Sequence, residues 1–180
     1  MENKISVPEK ISAFEYVLYQ LNEWYKESFP GKENDISILK AMKLLFFVSI
    51  IKNRDKEDLL DLFDNFQAWT YGPVEADIYS SYRDLNNIKI NRFCLNITNK
   101  KSIEDWSKTN PIWTNKIDES IDSLKIENKE ILGYDAFTLV EISHYYSSWD
   151  FYYNVLEDSH SSMNTEIIRN ERKYFRKNSI

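Results

Sequence analysis

His144 and His160 are the only histidines and Cys94 is the only cysteine, so the inventory for acid–base or nucleophilic chemistry is short. Ser143, His144 and Asp135 lie near enough in sequence to suggest a serine–histidine–aspartate relay. Adjacent residues on a helix project about 100° apart, so Ser143 and His144 do not face each other. His144 therefore reads as a packed or hydrogen-bonded side chain. Neither paired histidines on one helical face nor paired cysteines are present, so no metal site is expected. Cys94 sits in an apolar, strand-like stretch without a neighbouring base and reads as a buried, inert thiol. Three scattered glycines cannot build a phosphate loop. No catalytic residue and no cofactor is expected.

Two charged runs remain. Asp55, Asp58, Asp61 and Asp64 step by three, which reads as a solvated helical face; the sharper alternative is a docking surface for a basic protein. Arg169, Arg172, Lys173, Arg176 and Lys177 read as cations that suit the end of a terminal helix. Across 180 residues, 23 Lys and Arg stand against 29 Asp and Glu, a net charge of −6. That balance argues against a nucleic-acid partner, which clustered cations would have to hold. The longest dense apolar run, residues 44–51, is too short to cross a bilayer. A lone cysteine forms no intrachain disulfide, consistent with a reducing, cytoplasmic setting.

Few glycines and prolines interrupt the chain, so long helices are favoured over many strands. Ile11, Phe14, Leu18, Leu21 and Tyr25 recur at helical steps between Pro8 and Pro30. A second helix, capped by Asn34 and Asp35, becomes apolar nearly all round and is expected to be the central buried one. The pattern predicts a third helix over 56–69 and a fourth from Pro73. Residues 88–97 alternate with a slip near Arg92 and predict one or two short strands. Residues 100–115 read as an irregular connection anchored by Trp106 and Trp113. Ile117, Ile121 and Leu124 mark a further helix. Asp135 can cap a long helix reaching about Tyr153, and 163–177 reads as the last helix. The expected fold is mainly α: a compact single-domain helical bundle with a minor β element near residues 88–98.

The most informative stretch runs from Phe66 to Val74 and contains Trp69, Tyr71, Gly72 and Pro73. Gly72 can end one helix in a left-handed conformation and Pro73 can start the next, giving a rigid helix–helix corner closed by Trp69. A partner pocket beside that corner is compatible with this reading.

These residues resemble the Panacea domain of SocA-like antitoxins. Ala68, Trp69, Tyr71, Gly72, Pro73, Val74 and Tyr79 match the family's most diagnostic motif. Lys43-Leu44-Leu45-Phe46-Phe47 matches its second-helix pattern, with Phe46 in place of the usual tyrosine. Leu139, Ser143, His144 and Trp149 are similar to a later motif, and Ile167-Ile168 with Tyr174-Phe175 to the closing helix. The resemblance extends from about Phe14 to Phe175, and the expected domain spans residues 10–177, with 1–9 as an N-terminal extension. It implies a bacterial or phage antitoxin that binds and neutralises a small protein toxin, usually encoded by the adjacent gene. One branch of the family instead hands its toxin to an ATP-dependent protease. A third possibility is a DNA-binding regulator of its own operon, which only the basic terminal run supports. Tyr and Trp are enriched at binding hot spots, so Tyr71, Tyr79, Tyr82, Tyr146, Trp149 and Tyr153 are the candidate partner contacts. Of these, Tyr146 or Tyr153 is expected to meet the partner while Trp149 packs inside. Lys43, Ala68, Trp69, Gly72, Pro73, Val74, Ser143 and His144 are expected to be structural.

Overall fold

The computed structural model describes residues 5–52 and 57–177. Ser6 caps the first helix, α1 (Val7–Ser28), and Pro8 occupies its first turn, where a missing N–H costs nothing. The expected apolar face of α1 is the buried one: Phe14, Leu18 and Leu21 are inaccessible to solvent. The helix begins within residues 1–9, the expected extension.

Helix α2 (Ile38–Ile50) is central, with every residue from Lys40 to Ile50 buried. Its cap is Ser37, which accepts from Lys40 N at 3.2 Å, and not the expected Asn34-Asp35 pair. Those two residues have other roles. Asp35 holds the Lys40 ammonium, and the Asn34 amide bonds both backbone groups of Leu95.

The expected helix over 56–69 does not form; its first residue and Asp55 lie outside the described residues. Turns occupy 58–63, and strand β1 (Phe66–Trp69) follows. Leu59, Leu62 and Phe63 still reach the core, which shows how burial can be met without helical periodicity. Asp58 is not solvated: it is buried and takes the Arg169 guanidinium, which also binds Asp61 and Glu166.

The expected helix from Pro73 is likewise corrected. Strand β2 (Gly72–Glu75) folds back antiparallel on β1, pairing Phe66 with Glu75 and Trp69 with Gly72. Helix α3 (Ala76–Ser81) starts only after Glu75, whose carboxylate accepts from Ile78 N at 2.8 Å. The two short strands near residues 88–98 are present as β3 (Ile88–Ile90) and β4 (Leu95–Ile97), an antiparallel pair. Cys94 lies at the turn between them and is half-buried, not fully enclosed.

Residues 100–115 are helical where an irregular connection was expected. Asn99 caps α4 (Lys100–Thr109), and Pro111 opens α5 (Pro111–Glu127). Helix α4 is polar overall and buries only Ile103, so the scarcity of apolar residues hides its helical pattern in the sequence.

Asp135 caps α6 (Ala136–Ser143) as expected, but the long helix breaks. Tyr146 turns inward, extended, and α7 (Ser147–Asp150) restarts before a π-helical turn, Phe151–Val155. The break has two physical causes. The Tyr146 hydroxyl donates to Tyr174 O at 2.6 Å and accepts from Tyr174 N at 2.8 Å. Glu171 accepts from Ser148 N and Oγ, satisfying donors at the new helix start. Strand β5 (Ser161–Ser162) adds to β1, giving the sheet order β2-β1-β5. The last helix is only α8 (Thr165–Asn170), and an irregular strap over 171–177 sends Phe175 into the core. The fold is mainly α, with a three-stranded sheet that the sequence pattern does not announce. Among the described residues, no helix is long and apolar enough to cross a membrane.

Candidate functional site

The β1–β2 hairpin is fastened at its base and near its tip by two buried lysines. At the base, Lys10 of α1 donates to Glu75 at 2.9 Å and Asp77 at 2.6 Å, and also to Asp64. These three carboxylates cluster closely enough to suggest a cation site, and the Lys10 ammonium fills that place. Burial lowers the affinity of Lys10 for its proton, but the three carboxylates outweigh it and hold the pKa above the ordinary lysine range.

Near the tip, Lys43 of α2 is fully buried and donates to Pro73 O at 2.5 Å. Burial holds its pKa well below the ordinary range. Gly72 adopts φ +86°, and a Cβ there would lie 2.1 Å from Ser143 Oγ and 3.1 Å from Lys43 Nζ. Lys43, Gly72, Pro73 and Ser143 therefore meet at one point, where the hairpin presses between α2 and α6. Ala68 and Val74 are buried on the flanking strands.

Ser143, His144 and Asp135 form no relay. Ser143 Oγ donates to Val140 O, Asp135 accepts from Thr138 N, and the His144 ring bonds the Thr70 backbone. The His144 ring stacks on Trp149 at 3.8 Å and 7°, and Trp149 stacks on Tyr153 at 5.0 Å and 14°. Burial, and then the nearby Lys43, lower the His144 pKa, opposed by the Thr70 hydrogen bond. The stack braces the hairpin tip directly: Trp149 Nε1 donates to Trp69 O at 2.9 Å and Tyr153 bonds Thr70 Oγ1.

The candidate partner contacts divide into different environments. Tyr146 is a core residue whose hydroxyl is committed to Tyr174, so its expected role at the surface is corrected. Trp149 packs inside, as expected. Tyr153, Tyr79 and Tyr82 are half-buried. Tyr71, at the hairpin tip, is 54% exposed and meets the 62% exposed Phe137 edge to face at 6.1 Å.

Beside the tip runs a groove of about 420 Å³. Ile38, Leu39, Met42 and Val74 form its aliphatic floor, and Trp69, Tyr71 and Tyr79 supply rings. Thr70 and His160 complete it. The Trp69 ring touches both Tyr79, at 5.0 Å, and His160, at 4.4 Å. Leu39, Phe137 and His160 had no distinguishing signal in the sequence, because hairpin pairing and helix packing bring them together from distant segments.

A family model described as Antitoxin SocA-like, Panacea domain, matches residues 41–150. The chain belongs to this antitoxin-like family. The match takes in Lys43, the whole hairpin, Phe137 and the His144–Trp149 stack. No curated protein and no solved structure matches the chain.

Proposed function

We propose that this protein neutralises a cognate small protein toxin by direct, stoichiometric binding without catalysis, using the hairpin tip as its contact surface. The observation that carries the reading is the exposed Tyr71–Phe137 pair beside an apolar groove, on a hairpin built from the family's motif residues. Exposed aromatic residues around a concave apolar floor suit a binding hot spot. Rigid support for the tip lowers the entropy lost on association. The same domain is taken to span residues 10–177, because α1 and Phe175 join the core that contains α2. The setting proposed is cytoplasmic.

A role as regulator of its own operon is disfavoured because the cations of the terminal run are engaged within the chain. Arg169 pairs with Asp58, Arg172 lies over Tyr174, Lys173 and Arg176 bond backbone carbonyls, and Lys177 pairs with Glu141. The test is co-expression with the product of the adjacent open reading frame, titrating one protein against the other. Rescue of growth only near equimolar levels is expected. Rescue at trace levels would replace direct sequestration with an enzyme or a recycling protease adaptor. Replacing both Tyr71 and Phe137 with alanine is expected to weaken toxin binding at least about tenfold while leaving the melting temperature nearly unchanged.

A further inference from the structure

The π-helical turn Phe151–Val155 leaves large apolar side chains in solvent: Phe151, Val155 and, directly after the turn, Leu156. Leu156 N donates to Phe151 O at 2.9 Å, an i→i+5 bond that sets Val155 and Leu156 one turn beyond Phe151. The three form one contiguous exposed strip, a feature that marks interaction sites on otherwise polar surfaces. Carboxylates border it at both ends: Asp150 immediately before Phe151, and Glu157 and Asp158 immediately after Leu156, all exposed. Asp158 N donates to Tyr152 O at 3.2 Å, which folds the acidic end back on the turn. Asp150 accepts from Asn154 at 2.8 Å, and among the described residues no lysine or arginine pairs with any of the three acids. The turn packs on α7, β1 and β5, none of which contains a lysine or arginine. From Glu130 to Ile168, indeed, the sequence holds acids but neither basic residue. Glu157 has φ +52°, a conformation that favours glycine, so a carboxylate is kept beside the strip at a conformational cost.

We propose that this strip is a second contact for the toxin and receives an amphipathic segment whose apolar side chains are flanked by lysine or arginine. The inference rests on the direct-binding reading and states what chemistry the partner must carry. An uncharged apolar segment would desolvate the bordering carboxylates without pairing them, whereas flanking cations pair with them. The strip is tied to the hairpin tip, because Tyr153 of the same turn bonds Thr70 Oγ1 at 3.1 Å. The two contacts are therefore held in fixed relation.

The first experiment needs no toxin. A helical leucine–lysine peptide is titrated into the full chain, against the same peptide with glutamate for lysine, and the backbone amide resonances are followed. The lysine peptide is expected to perturb residues 150–158 and the glutamate peptide to leave them unchanged. Because a protein of net charge −6 attracts any cationic peptide, two charge-matched variants decide whether the strip is the site. Glu157→Gly with Asp158→Asn is expected to weaken binding about three- to tenfold, against less than about twofold for Asp105→Asn with Asp122→Asn on α4 and α5. Glycine suits the φ at position 157, so the melting temperature is expected to hold. Val155→Ser with Leu156→Ser is expected to weaken binding by a similar factor. Perturbation centred elsewhere, equal weakening by the two charge-matched pairs, or equal affinity for the two peptides would overturn the proposal. So would concentration-dependent shifts of residues 150–158 without peptide, which would mean that a second copy covers the strip. In the second experiment, the variant with serine at both apolar positions is expected to lose neutralisation of the adjacent gene product, and full retention would overturn the toxin contact. If the wild-type protein does not neutralise that product, the direct-binding reading fails separately, and the peptide comparison still decides the strip.

Discussion

Lys10 and Lys43 are equally inaccessible to solvent and brace the same hairpin, yet their surroundings are opposite. Lys10, at the base, sits among three carboxylates from the 64–77 segment, which favour its charge. Lys43, near the tip, has Pro73 O as its recorded hydrogen-bond partner, and desolvation disfavours its charge. Burial alone therefore does not determine what a lysine does. The base of the hairpin is an electrostatic clamp, whereas the tip is a tightly packed contact that depends on shape. The division suits a binding surface: a fixed root carries a tip whose position is set by close packing against α2, α6 and α7.

The largest expected effect lies at the root. Lys10→Met removes the ammonium that Asp64, Glu75 and Asp77 share, Glu75 being fully buried. A loss of about 3–5 kcal/mol in unfolding free energy is expected, because an unpaired buried charge costs more than a pair contributes. Chemical denaturation measures it. A loss below about 1 kcal/mol would mean that the carboxylates are not held together by Lys10, and the contrast with Lys43 would collapse.

Gly72→Ala tests the tip by shape alone. The new Cβ would require left-handed backbone and would overlap Ser143 Oγ. We expect a loss of about 2–4 kcal/mol from overpacking and backbone strain combined. Ser143→Ala added to Gly72→Ala is expected to recover part of that loss, since the closest overlap is with the hydroxyl. Strictly additive effects in the double-mutant cycle would show that the two residues do not press on each other.

Much of the helical framework could be read in the sequence, and the failures have specific physical causes. The faces of α1 and α5 and the burial of α2 follow from apolar periodicity, and Asp135 caps α6 as its residue type suggests. The hairpin is hidden in the sequence because Gly72-Pro73 fits a helix boundary as well as a turn. Phe66 and Ala68 alternate for too few residues to announce β1, and β5, which pairs with it, comes some ninety residues later. Likewise, the break at Tyr146 depends on Tyr174 and Glu171, distant residues that no local pattern connects to it. The motif residues Lys43, Gly72, Pro73 and Ser143 were identifiable, but their meeting point required the fold. Leu39, Phe137 and His160 illustrate the same limit at the groove, where tertiary packing creates a surface from ordinary apolar and polar positions.

The smallest expected effect at neutral pH is that of Lys43→Met, and its value lies in pH dependence. Methionine fills the stem volume, and only the Pro73 carbonyl loses its donor, so a change within about 1–2 kcal/mol is expected. For the wild type, burial depresses the folded-state pKa of Lys43 below that of the unfolded chain. Between those two values the unfolded state binds the extra proton, so stability rises with pH. Below the folded-state value, the contribution levels off at its least favourable. Lys10 has the opposite sign, because its raised pKa leaves its stabilisation intact until the pH passes the unfolded-lysine range. Lys40 and Lys173 are also lowered by burial and add to the wild-type slope, so the comparison must be with the single variant. Denaturation of both proteins from pH 7 to 10 should show the wild type gaining on Lys43→Met by at most about 1.4 kcal/mol per pH unit. Parallel curves would mean that Lys43 keeps its charge in the fold, making the tip a second electrostatic clamp like the root.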